Sequence, residues 1–270
     1  MMGRLGVWSL CCSLLLVCLA LACALPPAAA QADQQGAAAR AVSAASGNAV
    51  IQIRLVIRYR FVSAGEEASE EEGTSEATGT VIDPSGLAVC ALSDVDPSHH
   101  MKMMGEEDED FKFQADVMSV HYVLGEGKEI PAKIVLRDQD LDLAFIRPTE
   151  TQAEPLKAVD LTQAASPQVM EELVVLGRLG EAANRAPYVA MDRVTAIITK
   201  PRTLYIAGIS TWVAGLGIPA FTLDGKVVGI TVMRSIPTAA GSSESGSANS
   251  MPVLLPAADV LKVSKQAPTT

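Results

Sequence analysis

Short apolar, β-branched runs recur along this chain with turn residues between them at about ten-residue spacing, and no sustained helical period appears before Pro256. That rhythm constrains the fold more than any other feature, because it is the pattern of an antiparallel β-barrel or sandwich. The clearest unit is IPAFTLDGKVVGI, residues 218–230: an apolar run, the turn Leu223-Asp224-Gly225-Lys226 with Asp-Gly at its centre, then Val227-Val228-Gly229-Ile230. It predicts a hairpin. GTVIDPSGLAVCALSDV, residues 79–95, predicts a second, with the preset φ of Pro84 and the positive φ of Gly86 in the turn. Ala49 to Phe61 alternates, with Gln52, Arg54, Arg58 and Arg60 on one face, and predicts a strand with its other face buried.

Further strands are expected at Val117–Leu124, as a pair within 129–148, at Leu173–Leu176, at Tyr188–Thr199 with a break at Asp192-Arg193, and at Thr203–Ile209. Two halves of similar style predict two packed barrels, residues 48–150 and 151–263, the second ending in a short amphipathic helix from Pro256 to Val263 and followed by a tail, 264–270. Four stretches lack a core-forming pattern. These are a flexible lead-in (DQQGAAARAVSAASG, 33–47), a like-charged surface loop (EEASEEEGTSE, 66–76), a polar acidic insertion (PSHHMKMMGEEDEDFKFQAD, 97–116) and a low-complexity mobile loop (TAAGSSESGSANS, 238–250).

Residues 1–32 read as a secretory signal: Arg4, an apolar run from Leu5 to Leu25, Pro26-Pro27, then the small residues Ala30 and Ala32 before Asp33. The run is also long enough to span a bilayer as an uncleaved anchor, but the proline pair and the Ala-x-Ala site favour cleavage and export to the periplasm or extracellular space. Ala20-Leu21-Ala22 before Cys23 is a poor match to the lipoprotein pattern. Cys11, Cys12, Cys18 and Cys23 lie in this segment, which leaves Cys90 alone in the mature chain, with no intramolecular disulfide and an expected place in an apolar strand. The formal net charge of −10 argues against nucleic acid and against anionic membrane surfaces as partners.

GTVIDPSGLAVCALSDV resembles the run G-S-G-F-I-I-D-x-x-G-x-I-L-T-N-x-H-V-V of the HtrA/Deg-type trypsin-like serine proteases. GEGKEIPAKIVLRDQDLDLAFIRP is similar to that family's D-G-x-x-x-x-A-x-V-x-x-x-D-x-x-x-D-L-A-L-L-K. VVLGRLG, RVTAIITK and MPVLLPAADVL resemble its later segments, so the likeness spans residues 48–263 in order. The resemblance implies an all-β fold of two packed antiparallel Greek-key barrels. It also implies a catalytic serine, histidine and aspartate, in which the histidine takes the serine's proton and the aspartate orients the imidazole.

Carried over by position, the aspartate falls on Asp142 and is present. The histidine falls on Ser93, counted from Gly86, and the serine on Leu216, counted back from Pro219. A one-residue gap moves the latter to Gly217, again without a hydroxyl. The oxyanion donors fall on the backbone N–H groups of Ala214 and Leu216.

The resulting expectation is an exported pseudoprotease that binds a peptide or partner protein through the cleft between the barrels, by backbone pairing that needs no triad. An active endopeptidase is the alternative, with His99 or His100 standing in as base and Ser210 or Thr211 as nucleophile. A metal-binding or structural envelope protein is the third reading, for which His99, His100, Met101 and Met103 are soft ligand candidates. His121 reads as an ordinary strand residue. No cofactor is expected, and the chain beyond Val263 is too short for the peptide-binding module often appended in that family.

Overall fold

The structure is a computed structural model that describes residues 28–63, 69–104, 111–125, 127–235 and 250–269. The expected signal through residue 27, its cysteines, and all but the last residue of the low-complexity loop at 238–250 lie outside them. The chain divides into two compact units, Met1–Ala38 and Ala39–Thr270. Described residues of the first, from Ala28, are helical, and the second holds everything that follows.

The first six strands are β1 (Val50–Ser63), β2 (Ser69–Val81), β3 (Ala88–Ala91), β4 (Phe111–Val123), β5 (Glu129–Asp138) and β6 (Leu143–Pro148). They close into a barrel in the order β1-β2-β3-β6-β5-β4. The next six are β7 (Glu172–Arg178), β8 (Pro187–Ile198), β9 (Leu204–Ala207), β10 (Pro219–Thr222), β11 (Val227–Ser235) and β12 (Ser250–Pro256). Their closed order, β7-β8-β9-β12-β11-β10, repeats the first, so both halves are the same antiparallel barrel. Tyr122, Phe145 and Phe221 are the largest fully buried side chains.

Both expected hairpins form. Ile82 N–H donates to Leu87 C=O across the Asp83–Gly86 turn. In the second, Pro219 pairs with Ile230, and Thr222 N–H donates to Lys226 C=O around Gly225 at φ 82°. Positive φ at that corner suits a residue without Cβ.

The break expected at Asp192-Arg193 is absent, since β8 runs through both residues in register with β7, and four further expectations differ from the fold. The lead-in at 33–47 is not a flexible coil: Ala28–Ser46 is helix α1, followed by a 3-10 turn at Gly47–Ala49. Alanine has the highest intrinsic helix propensity, and Ala39 and Val42, three positions apart, enter the core. The like-charged run is not a loop. From Ser69 onward it is β2, in register with β1 so that Arg54, Arg58 and Arg60 lie opposite Glu76, Glu72 and Glu70.

Cross-strand pairs of opposite charge are favourable, and the arginines neutralise a run that looks self-repelling alone. Arg58 Nη2 reaches Glu72 Oε1 at 2.8 Å, and Arg60 Nη2 reaches Glu70 Oε1 at 2.6 Å. Gln52, expected on that same polar face, is buried instead, because its end of β1 faces the second barrel: its Nε2 donates to Arg178 C=O at 3.0 Å.

Helices also appear before Pro256: α2 (Leu92–Val95), α3 (Pro97–Met104) and α4 (Ile209–Ala214), with α5 (Ala257–Ser264) closing the chain. The start of α3 has a local cause. Asp96 Oδ1 accepts the N–H of His99, and Pro97 occupies the first helical position, where a missing N–H costs nothing. Residues 105–110 of the acidic insertion lie outside the described residues, and β4 begins at Phe111.

The linker between β6 and β7 is stitched to both barrels. Leu156 N–H donates to Pro84 C=O and Val159 N–H to Val81 C=O, while Ala165 N–H donates to Val227 C=O and Val227 N–H to Gln163 C=O.

Candidate functional site

Asp142 ends the turn that follows β5, at φ 56°, a left-handed conformation that a residue with Cβ adopts only where its surroundings over-determine it. Those surroundings are visible. Its carbonyl accepts the N–H of Leu92 at 3.0 Å, and its wholly buried carboxylate accepts three hydrogen bonds. Ser93 N–H donates to Oδ1 at 2.7 Å, Ser93 Oγ to Oδ2 at 3.0 Å, and Met233 N–H, from β11, to Oδ2 at 2.7 Å.

Asp142 therefore ties the α2 loop of the first barrel to a strand of the second. Burial pushes its carboxyl above the usual carboxylate range, against the opposing pull of those donors and of His99.

His99, expected in a polar loop, is 8 % exposed on α3, with Nε2 at 3.5 Å from Asp142 Oδ1. That is an ion-pair distance rather than a hydrogen bond, and Nε2 has no hydrogen-bond partner among the described residues. His100 and Met101 line a cavity whose lining does not include His99. Adjacent helical side chains diverge, so His99 and His100 do not converge on one point. Among the described residues, no three His, Cys, Asp or Glu side chains are grouped to hold a metal ion.

The cavity, about 440 Å³, is the cleft between the barrels. Its first-barrel wall carries Ser93, Asp94 and the β2 stretch Ser75–Thr78, and its second-barrel wall is Gly215 and Leu216. Ser93 and Leu216 thus line one cleft, and Ser93 is hydrogen-bonded to Asp142. Gly217 brings the walls together, since a Cβ there would lie 2.1 Å from Thr78 C=O, and Thr80 Oγ donates to Gly217 C=O at 2.8 Å.

Residues 77–230 match the family model of the trypsin-like peptidase domain, more than half of the chain. The chain belongs to that family. No curated protein matches the sequence. In this trypsin-like chain, two six-stranded antiparallel barrels fit the fold.

What the site can do follows from its atoms. Ser93 Oγ is spent on Asp142, and a hydroxyl is no proton acceptor near neutral pH. Leu216, buried two residues past the end of α4, offers no hydroxyl or thiol. Ala214 ends α4 and Gly215 follows at φ 98°, so a sharp bend is present where the oxyanion donors fall. Thr211 is committed elsewhere, its N–H and Oγ both donating to Asp192 Oδ2 at 2.9 Å.

Cys90 is fully buried in β3, and burial raises its thiol well above the ordinary range, which leaves it unreactive. His121 lies on β4, opposite Arg54 and Pro131.

Asp94 escaped sequence reasoning. It lines the cleft with no hydrogen bond or ion pair to a described residue, and burial, then the neighbouring Asp142, pushes its pKa up to about 7. The available signal was its place directly after the base position, in Leu92-Ser93-Asp94.

Proposed function

We infer that this trypsin-like chain is a catalytically inactive, HtrA-like pseudoprotease, exported, whose inter-barrel cleft binds an extended segment of a peptide or partner protein. The observation that supports the reading is that Ser93, which carries no imidazole, and Leu216, which carries no nucleophile, line the same cleft as the β2 segment Ser75–Thr78. Export rests on the N-terminal sequence alone. Asp94 supports a partner with a lysine or arginine side chain, because a cation beside it supplies the counter-charge that the cleft lacks.

An active endopeptidase is the second reading, favoured by the approach of His99 to Asp142. The purified chain, incubated with casein and with an alkyl fluorophosphonate, is expected to give neither cleavage nor labelling. Serine labelling that His99→Gln abolishes would replace the binding reading with the enzymatic one. Anisotropy with disordered peptides is the positive arm: Lys/Arg-rich peptides are expected to saturate the chain, and Asp94→Ala to weaken them about tenfold. Absence of saturable peptide binding would remove the cleft as a recognition site.

A further inference from the structure

Away from the cleft, the turn between β4 and β5, the inter-barrel linker and the end of β7 surround a second cavity, of about 260 Å³. Its apolar wall includes Ile51, Val81, Leu124 and Leu156, and three cations border it: Lys128, Lys157 and Arg178. No carboxylate lines it, although the chain as a whole carries a net charge of −10.

Arg178 is the least expected of the three, being 7 % exposed. Its Nε donates to Val50 C=O at 2.9 Å, Nη1 to Arg185 C=O at 3.0 Å and Nη2 to Gly47 C=O at 3.4 Å. All three partners are neutral carbonyls, and burial alone pushes its pKa down, with no acid opposing the shift. A buried guanidinium without a counter-charge is costly, and guanidinium is also the side chain best shaped to grip an oxyanion. Gly125 lies close beside it, where a Cβ would stand 3.3 Å from Nη1, so the guanidinium fits against a residue without a side chain. Lys128 and Lys157 are exposed, with no ion pair to a described residue.

We propose that this cavity binds a small organic anion, with an oxyanion head group held between Arg178, Lys128 and Lys157 and a short apolar body against Leu124 and Leu156. The cations supply the charge, and the apolar wall supplies burial that a bare inorganic ion cannot use. The site is separate from the inter-barrel cleft and stands whether or not that cleft takes peptide.

The test is calorimetric titration of the full chain with phenyl phosphate, inorganic phosphate and phenyltrimethylammonium. Phenyl phosphate is expected to saturate, inorganic phosphate to bind at least about fivefold more weakly, and the cation not to bind. The double variant K128Q/K157Q changes only exposed side chains. It is expected to keep the melting temperature and to weaken phenyl phosphate about tenfold. Gly125→Val, which crowds Nη1, is expected to weaken it as well. No saturation by phenyl phosphate up to roughly 10 mM, or equal affinity in the double variant, would overturn the proposal. Equal affinity for phenyl and inorganic phosphate would overturn it too, since the apolar wall would then contribute nothing.

Discussion

The first-barrel rim of the cleft is a web of polar contacts around Asp142, whereas the second-barrel rim, at Gly215 and Leu216, presents glycine and an apolar side chain. Both rims descend from the same barrel topology and face the same space. They differ in what else their residues hold together. The Asp142 carboxylate satisfies two backbone N–H groups, the buried Ser93 N–H and the part-buried Met233 N–H, one from each barrel, so replacing it leaves orphaned donors at the seam. Leu216 has no such second duty, and its apolar side chain is accommodated by burial. Asp142 can therefore be required for structural reasons alone, whatever the chemistry of the cleft.

Asp142→Ala gives the largest expected effect on this contrast. Losing the acceptor for Ser93 and Met233 is expected to destabilise the chain by about 4 kcal/mol in urea unfolding. A cost below about 1 kcal/mol would break the idea that the carboxylate serves the seam.

Asp94 sharpens the same rim. The folded chain holds the Asp94 proton up to about pH 7, whereas the unfolded chain releases it near 3.8, so folding takes up a proton between these values. Stability is then greatest below this window and falls as pH rises through it. Asp94→Asn is expected to remove Asp94's share of that slope and to stabilise the chain more at pH 8 than at pH 3. Parallel pH profiles of the two proteins would contradict the assignment.

On the apolar rim, Leu216→Ala is expected to cost about 2 kcal/mol, equally at pH 5 and pH 8. Leu216→Ser should leave casein hydrolysis undetectable, because no imidazole stands at Ser93. The smallest effect belongs to the exposed Arg58–Glu72 pair: a double-mutant cycle should find coupling near its detection limit, vanishing in 1 M salt.

Much of this was legible in the residues. The Asp83–Gly86 and Leu223–Lys226 turns carry their own conformational instructions, and counting from them placed Ser93 and Leu216 on one cleft. What stayed hidden needed a second piece of chain to become visible. The glutamates of β2 look like a solvated loop until the arginines of β1 lie opposite them, and Gln52 looks exposed until the second barrel covers it. His99 reads as a histidine in a polar loop, and only the short helix capped by Asp96 turns it inward to Asp142.

The stitched linker has a consequence for dissection. Residues 151–154 are mostly exposed, and a cut there leaves Leu156 and Val159 on the C-terminal piece although their backbone bonds belong to the first barrel. Each piece also keeps buried polar groups whose partners are on the other, the Asp142 carboxylate in one and the Arg178 guanidinium in the other. The chain is thus built for two-piece complementation: neither fragment should persist alone, and co-expression should restore a single nicked protein that melts in one transition.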